Sequence, residues 1–269
     1  RFLQGLPDEV AYGVSLLEKF SSSQWNHTTS LEHAAQHGFA ACLLVKDDNH
    51  WLIEWIAYHY HVLPLRHLIL VNDPSGETSP SSILDRWRDR IVIEEWNDGD
   101  FLPEWINRKV EQANMTHLWL HLNRQKVFYA KCLQSLHERG RNWVTLTDAD
   151  EFIRINPYRH RVPKNIKKQP GHVLGILNKM QAQISEQSCL LLPRIQVATI
   201  EKEPSRSLFR QQHVNVPRGF NASDFLTLRY LYHNQQEMEA GKNIVNLHNL
   251  EYRDLPPKRT DSVHHVMPS

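Results

Sequence analysis

Asp148 and Asp150, separated by Ala149, follow the apolar, β-branched run Trp143-Val144-Thr145-Leu146-Thr147 and precede Glu151-Phe152. Two carboxylates one residue apart at the end of a strand suit a divalent cation that must grip a diphosphate. Such an ion takes one or two protein carboxylates and leaves its other positions to water and phosphate oxygens, and open α/β sheets collect ligands beyond the carboxyl ends of their strands. The spacing sets both side chains on one face if the strand persists, or around one turn if it does not. Acidic pairs also serve as caps and turn residues, so the neighbouring elements must decide. The chemistry expected is Lewis-acid neutralisation of the charge that builds on a departing diphosphate. Asp148 and Asp150 are the expected catalytic and metal residues, and the second carboxylate often reaches the ion while the first holds ribose or a coordinated water.

Other residues fit around that centre. In Val263-His264-His265-Val266 an imidazole could complete the metal shell, which favours Mn²⁺ over Mg²⁺; spacing does not choose between His264 and His265, and a solvated tail is the alternative. Lys46, Asp47 and Asp48 follow one apolar run, and Asn72 and Asp73 follow another, where carboxylates and amides can hold a uracil edge or ribose hydroxyls. Capping and turn roles account for the same residue types. Arg124 and Gln125 open the helix before the metal strand, from where they would reach back over the nucleotide. Inversion at the sugar would need a general base beyond residue 190, for which Glu203, Glu201 and Asp224 are candidates. Trp96 and Trp105 suit either carbohydrate stacking or core packing, and the basic run Tyr158 to Lys164 either an anionic acceptor or solvent.

The elements that must position these residues alternate. Phe39 to Val45 reads as a buried strand, Asp47-Asp48-Asn49 as a helix start, and Leu52, Trp55, Ile56 and His59 as one helix face. His67 to Val71 is a second strand, Asn72 to Ser82 a turn, and Ile83, Leu84 and Trp87 mark a short helix. Ile91 to Ile93 is a third strand. Val127, Ala130, Leu133 and Leu136 line a helix from Arg124 to Arg139 that Gly140 stops, before the strand Trp143 to Thr147. Strand and helix in alternation predict βαβ crossovers and an α/β fold with a mainly parallel central sheet. Beyond Phe152 the pattern predicts a helix from about His172 to Ile184 and strands at Cys189 to Val197, Phe225 to Tyr232 and Asn243 to Leu247. Residues 1–38 read as a lead-in with a possible helix from Glu9 to Phe20, 39–156 as a nucleotide-binding half and 157–269 as an acceptor-side half of one domain.

Composition limits the partners. The chain has 269 residues, 41% of them hydrophobic and 23% charged, enough to bury a sizeable core. With 31 basic and 30 acidic side chains there is no bulk field for nucleic acid or an anionic membrane. No stretch approaches the roughly 18 to 20 apolar residues of a membrane span, so membrane attachment would rest on a segment outside this chain, which begins at Arg1. The sequons at Asn26, Asn114 and Asn221 permit a secretory lumen such as the Golgi, with the cytoplasm as the alternative. Cys42, Cys132 and Cys189 contain no close pair, and the expectation is core or strand-entry positions and no disulfide framework.

The chain resembles glycosyltransferase family 92 and the broader family 2-like GT-A group. Val45 to His59 is similar to the family's basic residue, Asn-Glu and Leu-x-Glu-Trp-x-x-x-His signature, and Leu70 to Ser75 to an Asp-Asn-x-Ser turn. Gln125 to Tyr129, Cys132 to Trp143 and Asp148-Ala149-Asp150-Glu151-Phe152 form the most specific block, and Gly241 to Val245 and Val263-His264-His265 look like the closing Lys-x-Ile-Val and His elements. The resemblance implies a GT-A-type, Rossmann-like fold, a UDP-sugar donor, Mn²⁺ held through Asp-x-Asp and the closing His, and inverting transfer, commonly of galactose, onto a glycan. Three departures stand out: Asp47-Asp48 in place of Asn-Glu, Asn72-Asp73 in reversed order, and Leu192 to Val197 without the Phe-Gly usual there. The competing reading is a GT-A-fold module that binds sugar nucleotide or glycan without turnover. A sugar-phosphate nucleotidyltransferase would share sheet and metal, but no Gly-rich phosphate loop opens the chain.

Overall fold

The computed structural model describes residues 31–104, 117–154, 171, 173–178, 187–198, 226 and 232–250. Six strands form one sheet in the order β3-β2-β1-β4-β6-β5. They are β1 (Phe39–Val45), β2 (Leu65–Asn72), β3 (Val92–Trp96), β4 (Trp143–Leu146), β5 (Cys189–Ala198) and β6 (Tyr232–Asn246). The first four run parallel, whereas β6 enters antiparallel to both β4 and β5. The α/β class and mostly parallel sheet expected from the alternating pattern are observed.

Burial explains why β1 reads as an unbroken apolar run. All seven of its residues are buried, as a parallel strand covered on both faces requires. Ala40, Cys42 and Leu44 face one core with Phe128, Cys132, Leu133 and Leu136, while Ala41, Leu43 and Val45 face another with Leu52, Trp55 and Ile56. The first core belongs to the long helix that leads into β4 and the second to the helix between β1 and β2. These helices are α2 (Asn49–Val62) and α5 (His117–Glu138); the shorter α1 (Leu31–His37), α3 (Ser81–Leu84) and α4 (Asp98–Phe101) lie between or before the parallel strands.

Several boundaries differ from the expected ones. α5 begins at His117, so Arg124 and Gln125 lie in its interior and not in its first turn. Its end is as read: Gly140 has φ 67°, its amide donates to His137 O at 2.9 Å, and Arg141 N donates to Leu136 O at 2.9 Å, the paired closing bonds that a left-handed glycine permits. The third strand runs to Trp96, beyond Ile93. Ile83, Leu84 and Trp87 lie on α3 and a 3-10 turn, Asp85–Trp87. Within the segment read as a lead-in, α1 buries Ala35, and its Glu32 pairs with Arg141 at 2.5 Å. Residues 173–178 are helical within the expected 172–184 span, and Leu226 is helical rather than extended. The Glu9 to Phe20 helix and all three sequons lie outside the described residues.

One expectation is overturned outright. Cys42 and Cys132 form a disulfide across 90 residues, with Cα atoms 6.1 Å apart, and Cys189 is the free cysteine. The cysteines look unrelated along the chain because the pairing is tertiary: β1 and α5 pack face to face, and both side chains point into the same core. No helix among the described residues is long and apolar enough to cross a membrane.

Candidate functional site

β1 and β4 are neighbours, with Cys42 in register with Leu146. The chain therefore leaves both strands on the same edge, which brings Lys46 to Asp48 beside Asp148 to Glu151. β4 ends at Leu146, and Glu151 N donates to Asp148 O at 3.1 Å, so the two aspartates are arranged around a turn. Ala149 between them is buried on the α2 side. The turn is held from below by α2: Tyr58 donates its hydroxyl to Ile153 O at 3.0 Å, and His59 Nε2 accepts from Ile153 N at 3.4 Å. Phe152 stacks on the His59 ring at 5.8 Å. His59 is fully buried, which drives its pKa down to about 3; Nδ1 donates to Trp55 O at 2.9 Å, leaving Nε2 as the acceptor. The Trp55 and His59 of the first family-like block thus position the chain just beyond the acidic pair.

The two aspartates differ. Asp148 is 35% exposed and fully engaged: Oδ1 accepts from Gln125 Nε2 at 3.2 Å, and Oδ2 lies 2.8 Å from Lys242 Nζ. Lys242 stands in β6 beside Asn243, which pairs with Leu146, and its ammonium also lies 3.0 Å from Glu151 Oε2. Glu151 in turn accepts Asp148 N at 3.0 Å and pairs with Arg194 Nε at 3.1 Å. Burial first, and then the Asp148 charge, push the Glu151 carboxyl above its usual range despite Lys242. Asp150 is exposed and accepts no hydrogen bond among the described residues. Asp48 completes the group. Burial is the main cause raising its pKa, and the Asp150 and Asp148 charges push it the same way.

The strand-end residues divide into framework and open positions. Asp48 occupies the N-cap position of α2, but its carboxylate accepts Lys46 N at 3.0 Å and caps nothing. Asp47 turns away with φ 57°, a left-handed conformation an aspartate tolerates. Its Oδ1 accepts from Glu77 N at 2.7 Å, Thr78 N at 2.8 Å and Thr78 Oγ1 at 2.9 Å, and these bonds, led by those from Thr78, lower its pKa. Asn72 Nδ2 donates to Thr78 O at 3.2 Å, so the loop after β2 is tied across the ends of β1 and β2. Lys46 is exposed at the rim.

Asp73 and Arg124 belong to the framework. Arg124 is 4% exposed and places Nη1 3.2 Å from Asp73 Oδ1, while Nη2 pairs with Asp98 at the start of α4. Burial pushes Asp73 up, but the Ser75 hydroxyl and amide at 2.6 and 2.9 Å, Arg124 and His121 outweigh it and leave the carboxyl below its usual value. Trp96 is partly buried and meets Phe128 in a T-shaped contact at the border of the core. Lys242 and Glu151 carry roles that residue types and spacing alone did not assign, although both lie in family-like blocks. Glu203, Glu201, Asp224, His264, His265, Trp105 and the basic run Tyr158 to Lys164 lie outside the described residues.

Carboxylate oxygens are the donors that a hard divalent ion takes. Asp150 is an exposed carboxylate, Asp48 and Asp148 stand in its field, and Asp148 is held in one orientation by Gln125 and Lys242. Thr147 Oγ1 and Asn243 Oδ1 are buried with no hydrogen-bond partner among the described residues. Among the described residues no three His, Cys, Asp or Glu side chains converge closely enough to make a complete metal cage. No protein-family model matches the chain, and no curated protein does.

Proposed function

We propose that this protein is a metal-dependent glycosyltransferase of GT-A type, moving a sugar, with galactose the leading candidate, from a UDP-sugar onto a glycan acceptor with inversion. The observation that carries the reading is the difference between the aspartates of one turn at the sheet's carboxyl edge: Asp148 anchored by Lys242 and Gln125, Asp150 left exposed. In this reading Asp150 holds the cation directly and Asp148, from its fixed position, orients water or ribose. Mn²⁺ or Mg²⁺ bound there supplies Lewis-acid stabilisation of the leaving diphosphate. Asp48 and Lys46 border the nucleotide, and Asn72 and Asp73 shape the wall behind it. His264 or His265 is the proposed closing ligand and Glu203 the proposed base. The buried disulfide supports residence in an oxidising compartment, such as the Golgi lumen.

Calorimetric titration of UDP with and without Mn²⁺, followed by donor hydrolysis and transfer assays across several nucleotide sugars, tests this. Binding that requires Mn²⁺ together with turnover is the expected result. Mn²⁺-dependent binding without hydrolysis or transfer would make the domain a recognition module, and no UDP binding at all would end the reading.

A further inference from the structure

Lys242 raises a question of charge. Its ammonium lies 2.8 Å from Asp148 Oδ2 and 3.0 Å from Glu151 Oε2, on a side chain that is 6% exposed. A buried cation between two carboxylates stands where a second, mobile cation would gain most from the same oxygens. The backbone fixes it there. Gly241, the preceding residue, sits so close to β5 that a Cβ would meet Leu192 O at 2.6 Å and the Leu191 side chain at 2.7 Å, and Asn243 is locked into register with Leu146 and Leu191. The strand position of Lys242 is thereby fixed, and its buried side chain rests against both carboxylates.

We propose that Lys242 is a built-in counter-cation that keeps divalent metal off the Asp148–Glu151 side of the turn, so that the site loads its metal together with the diphosphate and not before it. The inference rests on the glycosyltransferase reading for the identity of the diphosphate, but not for the effect of Lys242 on the cation. Four carboxylates, Asp48, Asp148, Asp150 and Glu151, gather here, and Lys242 and Arg194 offset part of their charge. With Asp148 and Glu151 committed to Lys242, the attraction left for a divalent ion is centred on Asp150. One carboxylate is a poor site by itself and an adequate one once phosphate oxygens supply further ligands. Lys242 is a positioning residue in this account: it acts through Asp148.

The test is Mn²⁺ binding to the intact protein, read by loss of the free-ion electron paramagnetic resonance signal, with and without UDP. Wild-type protein should bind Mn²⁺ at least about tenfold more tightly with UDP present, a coupling that linkage makes reciprocal. Lys242→Met, which keeps the apolar stem and removes the charge, should tighten binding of Mn²⁺ alone about tenfold, and Asp150→Asn in that background should abolish the gain. Lys242→Arg should retain the weak binding of wild type. Lys242→Gln makes the same comparison if the methionine variant does not fold, and in either neutral variant Mn²⁺ alone should raise the melting temperature more than in wild type. Unchanged affinity for Mn²⁺ alone in both neutral variants overturns the inference and leaves the proposed function standing. Absence of UDP-enhanced Mn²⁺ binding in wild type overturns the proposed function, while the nucleotide-free comparison still decides the part played by Lys242.

Discussion

Cys42 in the middle of β1 and Cys132 on α5 are covalently joined in the core, so the strand that delivers Asp48 and the helix that delivers Arg124 and Gln125 cannot separate. The bridge closes 90 residues of chain, a span for which a native disulfide typically contributes about 2–5 kcal/mol. Replacing both cysteines with Ala should lower stability by that order, measured as the shift in urea midpoint. Dithiothreitol should lower the midpoint of wild type and leave that of the double variant unmoved.

The two aspartates of the turn should separate binding from stability. Asp150→Asn removes an exposed charge and should change stability by no more than about 0.5 kcal/mol, while Mn²⁺-dependent UDP binding and transfer fall at least about tenfold. Asp148→Asn takes a carboxylate from Lys242 and should in addition cost about 1–2 kcal/mol of stability. Equal melting temperatures for the two variants would contradict the anchoring of Asp148.

Arg124 ties α5 to Asp73 at the end of β2 and to Asp98 at the start of α4. Arg124→Met should destabilise the fold by about 3 kcal/mol, the order found when one partner of a buried pair is removed. The folded pKa of Asp73 lies below its usual 3.8, so its share of the loss is present above that value and disappears as pH falls through the folded pKa. Urea titrations from pH 7 to pH 3 should show the gap between variant and wild type closing at the acid end.

His59 makes acid sensitivity of the opposite origin. Burial lowers its pKa from 6.5 to about 3, so between those values the unfolded chain binds a proton the folded chain refuses, and stability rises with pH at up to about 1.4 kcal/mol per unit. His61, lowered to about 4 by burial and by Arg66 and Arg90, acts in the same direction. His59→Gln can keep an acceptor for Ile153 N without a titrating ring. Its stability between pH 4 and pH 6.5 should be flatter by about one proton's worth, and its Mn²⁺-dependent UDP affinity at pH 7 should stay closer to wild type than that of His59→Ala.

What could be read beforehand was local. Phe39 to Val45 and Trp143 to Thr147 are apolar because strands buried on both faces must be, and Gly140 marks a helix end because few residues tolerate its backbone conformation. The buried face Leu52, Trp55, Ile56 and His59 followed from helical spacing. What could not be read was which distant segments meet. Nothing near Cys42 points to Cys132, and nothing near Asp148 points to Lys242, because both pairings depend on strand order and on the reversed direction of β6. The helix α5 starts seven residues before the expected Arg124, because Leu118, Trp119, Leu120 and Leu122 crowd its first turns without the clear one-face spacing seen from Val127 onward. Asp47 and Asp48 are alike in type as helix caps, yet one fastens a neighbouring loop and the other stands near the aspartates of the turn after β4; the left-handed backbone at Asp47 separates their roles.

The reversed entry of β6 also bears on assembly. Lys242 follows Asp148 by 94 residues, and the partners that join β1 to β4, such as Phe39 and Trp143, lie farther apart still. Both closures bring distant parts of the chain together, which is among the slower steps of building a sheet. A chain in which β1 and β4 have paired and β6 has not carries its acidic turn without the ammonium. Docking of the sixth strand is the step that brings the ammonium to it.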